Sequence, residues 1–227
     1  FAIQQLHARM EVTATSVVSV GKRVVPPADQ TEPWEQVARR YRDPVAPEAI
    51  KAYQFVFGSP LVQPQPEFAE YARESFPPGR PLLAGVLDLN RRIFADFAYD
   101  PVATTVATPL AEVWEKRRGV CQDYAHIAIA CLRSLGLPAS YVSGYLRTRP
   151  PPGKPRLVGA DATHAWFSVH CPGFGWVDFD PTNNCLPSDE HITVAYGRDF
   201  SDVSPVMGIL TGGGSHSVKV AVDVEPL

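Results

Sequence analysis

Three side chains in the second half of the chain are of the types that form a nucleophilic site: Cys121, His164 and Asp180. Cys121 comes just after Gly119 and just before a long apolar run, which predicts that it lies in the first turn of a helix. A helix N-terminus carries partial positive charge and free backbone N–H groups, so it favours a thiolate and can bind an oxyanion. A single cysteine is more often a buried apolar residue, so position alone makes Cys121 only a candidate nucleophile.

The other two side chains would complete the site from neighbouring strands. His164 lies in the predicted strand THAWFSVHC, and Asp180 lies at the end of the next one, GWVDFDPT. Adjacent antiparallel strands can place the two side by side, so that Asp180 orients His164 and His164 accepts the proton of Cys121. Asp178 precedes Asp180 by two residues and shares its predicted sheet face, so the spacing leaves the choice of carboxylate open.

Five other residues are weaker candidates for the site. Gln122 and Trp114 lie close to the cysteine in the sequence, and either could contribute to an oxyanion hole. Trp166 is more often a core residue but could line the cleft. Asp123 is expected to stabilise the first helical turn rather than to react. His126 follows the cysteine by five residues and projects from another side of the helix, so we expect it to satisfy a buried polar contact.

The elements that must position these residues come in a definite order along the chain. Residues 31 to 97 are predicted to be helical, and a further helix is expected to begin at Thr108-Pro109 and to end at Gly119. The helix that begins at Cys121 is nearly all apolar, which predicts burial at the centre of the domain. Several strands follow it. Helices first and strands afterwards indicate an α+β fold with an antiparallel sheet.

The two ends of the chain have the alternating pattern of β-strands. Residues 1 to 21 are rich in β-branched side chains, and residues 216 to 227 alternate with valine at positions 218, 220, 222 and 224. Because a lone hairpin is only marginally stable, we expect the ends to pair within an accessory β unit. The expected organisation is therefore strands of a truncated N-terminal β domain over 1–25, a catalytic core over 26–200 and C-terminal strands completing the sheet over 201–227.

The composition argues against several classes of protein. The chain has 227 residues, of which 45% are hydrophobic and 20% charged, and this is typical of a globular protein with a sizeable core. A net charge of −3 without any run of like charges argues against a partner that is a nucleic acid. No apolar stretch reaches the length of about 18 residues that a membrane-spanning helix needs. There is no signal-peptide pattern, so a cytoplasmic location is expected.

The cysteines argue against a structural metal site. Cys121, Cys131, Cys171 and Cys185 form no CxxC pair, which is unlike a zinc ribbon, and four free thiols fit a reducing compartment. A metal site built from the cysteine, histidine and aspartate is a weaker possibility, because these residues are distant in the sequence. We therefore expect no metal and no cofactor.

Three segments resemble the bacterial transglutaminase-like proteins, a family often described as cysteine proteases. The segments are RRGVCQDYAHIAIACLRSLGLPASYVSGYL, DATHAWFSVHCPGFGWVDFDPTNN and YGRDFSDVSPVMG. The resemblance runs from about residue 30 to the C-terminus. It implies a papain-like core in which a buried catalytic helix packs on an antiparallel sheet. It also implies that Cys121 is the nucleophile, His164 the base and Asp180, rather than Asp178, the orienting acid.

The residues and the resemblance together predict a cysteine-dependent hydrolase of amide bonds in a peptide or protein substrate. The reaction would pass through a thioester between the substrate and the cysteine. Water as the acceptor makes the protein a peptidase or amidase, whereas an amine makes it a transglutaminase. Hydrolysis is expected because water needs no second binding site. Two alternatives stay open, namely transamidation and a non-catalytic protein-binding module on the same scaffold.

Overall fold

A computed structural model gives the fold of residues 7–21, 24–42, 47–148, 162–205, 208–209, 211–212, 215, 217 and 219–227. Its helices are α1 (Trp34–Arg42), α2 (Pro47–Tyr53), α3 (Pro66–Ser75), α4 (Leu82–Asp96), α5 (Leu110–Lys116) and α6 (Cys121–Ser134). Its strands are β1 (Ala98–Tyr99), β2 (Arg118–Gly119), β3 (Ala139–Leu146), β4 (Ala162–Cys171), β5 (Gly175–Phe179) and β6 (His191–Gly197). The predicted order of helices before strands is confirmed. Within the described residues, no helix is long and apolar enough to cross a membrane.

The main sheet is antiparallel and has the strand order β5-β4-β3-β6. In its register, Gly144 of β3 stands opposite His164 on one side and opposite Thr193 on the other. The strands β4 and β6, which are distant in sequence, therefore both lie beside β3. The two-residue strands β1 and β2 form a separate parallel pair with Tyr99 opposite Gly119, and β2 comes immediately before α6.

Helix α6 is the centre of the core, as its apolar sequence predicts. Every residue from Gln122 to Arg133 is buried. The helix packs against α3, α4 and α5 on one side and against β3 and β4 on the other. An all-round apolar helix has no face suited to water, so enclosure between two layers is the arrangement that buries it. Cys131 is fully buried at this centre, and burial raises the pKa of its thiol well above the usual range.

The helix that precedes the cysteine ends earlier than predicted. Arg117, rather than Gly119, is the residue in the left-handed conformation, with φ of 52°. Its guanidinium stacks on Trp114, with 3.5 Å between Cζ and the ring centroid, which helps to hold a non-glycine residue there. Gly119 is required for a different reason, because a Cβ at this position would lie 2.3 Å from Oδ2 of Asp123.

The strands expected at the two ends are not present among the described residues. Residues 7–21 contain neither helix nor strand, and all but Val20 are exposed. In residues 219–227 only Val222 forms a β-bridge. An alternating pattern gives a strand only where a neighbouring strand satisfies the backbone and a second layer covers the apolar face, and neither segment has both. The division of the chain near residues 25 and 200 stays a prediction.

Candidate active site

Cys121 is the first residue of α6, and its side chain is half-buried. The start of the helix is fixed by Asp123, whose Oδ2 accepts the backbone N–H of Val120 at 2.8 Å and the hydroxyl of Thr104 at 2.6 Å. Burial raises the pKa of Asp123, and these two hydrogen bonds oppose the rise. Because Val120 has no side-chain acceptor, Asp123 supplies the side-chain part of the cap, which is the structural role expected for it.

His164 stands between the cysteine and a carboxylate. Its Nε2 lies 2.7 Å from Oδ2 of Asp180. The thiol of Cys121 lies close enough to the ring to raise its pKa. Because Nε2 faces the carboxylate, Nδ1 is the nitrogen that remains for the thiol. Burial lowers the pKa of His164, but the hydrogen bonds and negative charges of Asp180 and Cys121 outweigh it and raise the pKa to about 9. The imidazole therefore carries a proton near neutral pH.

Asp180 is fully buried in the turn that follows β5. Its Oδ1 accepts the backbone N–H groups of Thr182 at 2.9 Å and Asn183 at 3.1 Å, which forms an Asx turn. The side-chain amide of Asn183 donates to Oδ2 at 2.7 Å. Burial alone would raise the pKa of Asp180, but the hydrogen bonds from His164 and His191 hold it well below the usual range. The carboxylate is therefore ionised.

The turn that carries Asp180 is anchored from the helical layer. Asn90 of α4 is buried, and its Nδ2 donates to the carbonyl of Asp180 at 3.3 Å and to Oδ1 of Asn184 at 3.4 Å. The backbone of Asp180 also pairs with that of Cys185 through bonds of 2.9 and 3.2 Å. No pattern in the sequence connects Asn90, a polar residue in α4, with a turn about ninety residues later, so its role could not be predicted.

The register of the sheet determines which carboxylate meets the imidazole. Ser168 stands opposite Asp178, and the pairing of β4 with β5 ends at Phe167 opposite Phe179. Trp166, two residues before Ser168, donates its Nε1–H diagonally to Oδ2 of Asp178 at 3.1 Å. His164, two residues before Trp166, makes the corresponding contact with Asp180, two residues after Asp178. The choice that the spacing left open is thus made by the pairing of β4 with β5.

A second imidazole, which the sequence analysis missed, reaches the same carboxylate. His191 begins β6 and is 4% exposed, and its Nε2 lies 3.1 Å from Oδ2 of Asp180. The ring packs edge-on against Trp166, with 5.4 Å between the centroids. No sequence signal could have found this residue, because β6 reaches the site only by pairing with β3, on the far side from β4.

The three weaker candidates for the cleft occupy different surroundings. Trp166 is fully buried behind the two histidines rather than on an open surface. A Cβ on Gly144 would lie 2.5 Å from its Cη2, so this glycine leaves room for the indole. Gln122 is buried in the first turn of α6, next to the cysteine. Trp114 packs against Phe68 and other aromatic residues. Any part of Gln122 or Trp114 in an oxyanion hole stays a prediction.

Three polar side chains of the site also have the spacing of a metal centre. His164, Asp180 and His191 offer ligand atoms that lie within 4.8 Å of one another. However, Nδ1 of His191 accepts the backbone N–H of Ser188 at 3.2 Å, so Nε2 carries a hydrogen and acts as a donor towards the carboxylate. Asn183 donates to the same oxygen. We interpret the group as a hydrogen-bonded network whose donors and acceptors are already matched.

Tyr99 lies beside the cysteine on the exposed side of the site. The pairing of β1 with β2 places it opposite Gly119, and its side chain is 58% exposed. Partial burial and the negative charge of Cys121 raise the pKa of Tyr99, which reflects its closeness to the thiol. The position of Tyr99 could not be predicted from the sequence, because β1 and β2 are too short to be recognised as strands from their residues.

Comparisons with known proteins give a family model and relatives that match this chain over its full length. The family model described as the transglutaminase-like superfamily matches residues 70–181, which include the cysteine, the histidine and the aspartate of the site. Uncharacterised proteins of Mycobacterium bovis and Mycobacterium tuberculosis are 43% identical to this chain over 236 residues. The match covers all of this chain and 73% of each relative.

One solved structure is similar in fold as well as in sequence. It is described as "a Putative Cysteine Protease from Cytophaga hutchinsonii" and superimposes with a TM-score of 0.57 at 28% sequence identity. The match covers 68% of this chain and 49% of that one, so the shared part is about half of the solved protein.

Proposed function

This chain belongs to the transglutaminase-like superfamily, and on that basis we propose that it is a cysteine-dependent peptidase or amidase. The observation that carries the proposal is the hydrogen bond of 2.7 Å between His164 and the buried carboxylate of Asp180, with the half-buried Cys121 close enough to the same imidazole to raise its pKa. This is the order of groups that nucleophilic acyl transfer requires.

The first half of the proposed reaction forms a thioester. His164 holds the proton of Cys121, and the resulting thiolate sulfur attacks the carbonyl carbon of the substrate amide, so that its electron pair becomes the new C–S bond. The C–N bond breaks, and His164 gives its proton to the departing amine. The raised pKa of His164, about 9, supports this step because the imidazole holds that proton at neutral pH. Asp180 stabilises the charge on the ring and fixes its orientation.

The second half releases the acid and restores the site. Neutral His164 removes a proton from water, and the resulting oxygen nucleophile attacks the thioester carbonyl. The C–S bond breaks, a carboxylic acid leaves, and the sulfur and the imidazole return to their starting states. A primary amine in place of water would give transamidation by the same steps.

The negative oxygen of each tetrahedral intermediate would be bound at the start of α6. The first turn of this helix presents backbone N–H groups that no residue inside the helix accepts, and the helix dipole adds partial positive charge. We assign the backbone N–H of Cys121 to this oxyanion hole, with Gln122 as the neighbouring candidate. The arrangement explains why the cysteine belongs at the first helical position.

The exposed residues next to the cysteine favour a substrate with an apolar segment. Tyr99 is 58% exposed, and the loop that follows it exposes Val102 (89%) and Val106 (59%). The hydroxyl of Thr104, between the two valines, is bonded to Asp123 of α6, so this loop is tied to the start of the nucleophilic helix. We propose that Tyr99 and this loop form one wall of the substrate cleft.

The test is mass spectrometry of a panel of peptides and peptide amides incubated with the protein, with and without a primary amine. We expect hydrolysis products in both conditions and a thioester adduct on Cys121 when turnover is quenched with acid. Cys121→Ala should give neither, whereas Cys185→Ala, which removes an exposed thiol, should behave as wild type. Products that appear only with the amine would identify a transamidase. Turnover by Cys121→Ala would contradict the nucleophilic mechanism, and no turnover of any substrate would favour the binding-module alternative.

A further inference from the structure

The geometry points to His191 as a positioning residue that extends the site to a series of four: Cys121, His164, Asp180 and His191. In this arrangement His191 is a neutral hydrogen-bond donor that holds the carboxylate of Asp180 in the orientation that His164 needs. The inference rests on the proposed function, because positioning has meaning only if the cysteine and its base react.

The tautomer of His191 is fixed by the turn that leads into β6. Nδ1 accepts the backbone N–H of Ser188 at 3.2 Å, and the carbonyl of Ser188 accepts the backbone N–H of His191 at 3.1 Å. A nitrogen that accepts a hydrogen bond carries no proton, so the ring hydrogen is on Nε2. Nε2 lies 3.1 Å from Oδ2 of Asp180, and the hydrogen is therefore directed at the carboxylate.

Three donors meet at one oxygen of the carboxylate. Oδ2 of Asp180 receives His164 at 2.7 Å, Asn183 at 2.7 Å and His191 at 3.1 Å. Asn183 belongs to the same turn as Asp180 and moves with it, whereas His191 approaches from a different strand. His191 is therefore the donor that ties the carboxylate to the sheet independently of the turn. Its hydrogen bond is also one of the contacts that hold the pKa of Asp180 low.

Because His191 is neutral, it does not offset the negative charge of Asp180, and this charge stabilises the imidazolium of His164. Protonation of Nδ1 would direct an N–H at the N–H of Ser188, so the turn opposes a second imidazolium beside the carboxylate. A cation at this place would compete with His164 for the charge of Asp180. The ring is held on its other side by Trp166, whose indole is itself bonded to Asp178. His191 thus has both a fixed position and a fixed hydrogen.

The described part of the chain offers a matched control for this role. His170 is also buried, lies in β4 like His164, and is hydrogen-bonded through Nδ1 to the hydroxyl of Tyr41 rather than to a carboxylate. The variants to compare are His191→Leu, which removes the donor, His191→Gln, which keeps an N–H near the position of Nε2, and His170→Leu, which removes a buried imidazole elsewhere.

The experiment has two readouts that need no substrate. The first is the rate at which iodoacetamide alkylates Cys121 at pH 7.5, followed by mass spectrometry. The second is NMR of protein with isotope-labelled histidine, in which nitrogen shifts report the tautomer of His191 and a pH titration reports the pKa of His164.

We expect the hydrogen of His191 on Nε2 in the wild type. His191→Leu should slow alkylation by about tenfold, the effect of losing one hydrogen bond to a charged group. It should also lower the pKa of His164, because a carboxylate that turns away leaves burial as the dominant influence. His191→Gln should recover most of both properties, and His170→Leu should resemble the wild type.

Several results would overturn the inference. One is an unchanged alkylation rate and an unchanged His164 pKa in His191→Leu. A rise of that pKa would mean that His191 only shares the charge of Asp180, and equal losses in His191→Leu and His191→Gln would mean that the ring serves only packing. The proposed function fails separately, if Cys121 of the wild type reacts no faster than the buried Cys131.

Discussion

The two ends of strand β4 each carry a buried histidine, and the two have opposite acid–base properties. His164 is 8% exposed and His170 is 7% exposed, so burial is nearly equal. Burial lowers the pKa of both rings. At one end the carboxylate of Asp180 and the thiol of Cys121 reverse this effect and raise the pKa to about 9. At the other end His170 meets the hydroxyl of Tyr41, and its pKa stays lowered.

The hydrogen-bond partner, rather than the depth of burial, makes an imidazole in this sheet suitable for proton transfer. A buried ring next to a phenol is a structural hydrogen-bonding group that has no reason to be charged. A ring at the same depth next to an ionised carboxylate holds a proton that it can give to a leaving group. The predictions below test this difference, beginning with the largest expected effect.

Replacing His164 and His170 one at a time should change the turnover number kcat by very different amounts. His164→Ala should lower kcat on any substrate identified by the peptide panel by about 10²–10⁴, the usual contribution of a general acid–base group. His170→Ala should keep kcat close to the wild-type value. Steady-state kinetics with both variants checks this, and circular dichroism confirms that each is folded. Similar losses in the two variants would show that the partner of the ring does not matter.

Replacing each carboxylate should show the same difference between Asp178 of β5 and Asp180 of the turn that follows it. Asp180→Asn keeps the shape of the side chain but removes the charge that holds His164, so kcat should fall by about 10²-fold or more, yet less than in Cys121→Ala. Asp178→Asn should have little effect on kcat, because Asp178 accepts a hydrogen bond from Trp166.

The double variant His164→Ala, Asp180→Asn sharpens this test. Its loss should be close to that of His164→Ala alone, because the two residues act as a unit. If the fold-losses in kcat of the two single variants multiplied in the double variant, the two residues would have independent roles. A severe Asp178→Asn variant with a silent Asp180→Asn variant would mean that the orienting carboxylate is the other one.

The pH dependence of stability should have opposite signs at the two ends. The folded pKa of His164, about 9, lies above the unfolded value of 6.5, so its contribution is complete below pH 6.5 and disappears as the pH rises through 9. The folded pKa of His170 is lowered, so its contribution is present above pH 6.5 and is lost on acidification.

Urea denaturation of the wild type and of His164→Gln and His170→Gln over pH 5–10 measures both. The stability advantage of the wild type over His164→Gln should shrink as the pH rises, and its advantage over His170→Gln should shrink as the pH falls. Differences that change in the same direction with pH would contradict the assignment of opposite pKa shifts.

The smallest effect is expected at the structural end. Tyr41→Phe removes the hydroxyl that bonds His170 but keeps the aromatic packing, so the free energy of unfolding should fall by about 1 kcal/mol, or slightly more if the ring nitrogen is left without a partner. The alkylation rate of Cys121 should not change. A slower reaction of Cys121 in Tyr41→Phe would show that the two ends of β4 are coupled.

Features that depend on residues close together in the chain could be predicted from the sequence. The apolar run after Cys121 predicted a helix buried on all sides, because 3.6-residue periodicity and burial are both local properties of the sequence. The same run placed the cysteine at the helix start, where backbone N–H groups are free. The alternating segments around His164 and Asp180 predicted two adjacent strands, and the order of elements predicted the α+β fold.

Strand pairing and contacts between distant segments are visible only in the folded chain. The spacing leaves Asp178 and Asp180 equivalent, and only the family resemblance favoured Asp180. In the fold, Oδ2 of Asp180 lies 2.7 Å from Nε2 of His164. His191 enters the site because β3 lies between β4 and β6. The described residues of the two ends form no strand for the related reason that alternation supplies a strand's propensity but not its partner. Strand pairing depends on two segments together, so it cannot be predicted from the sequence of either segment alone.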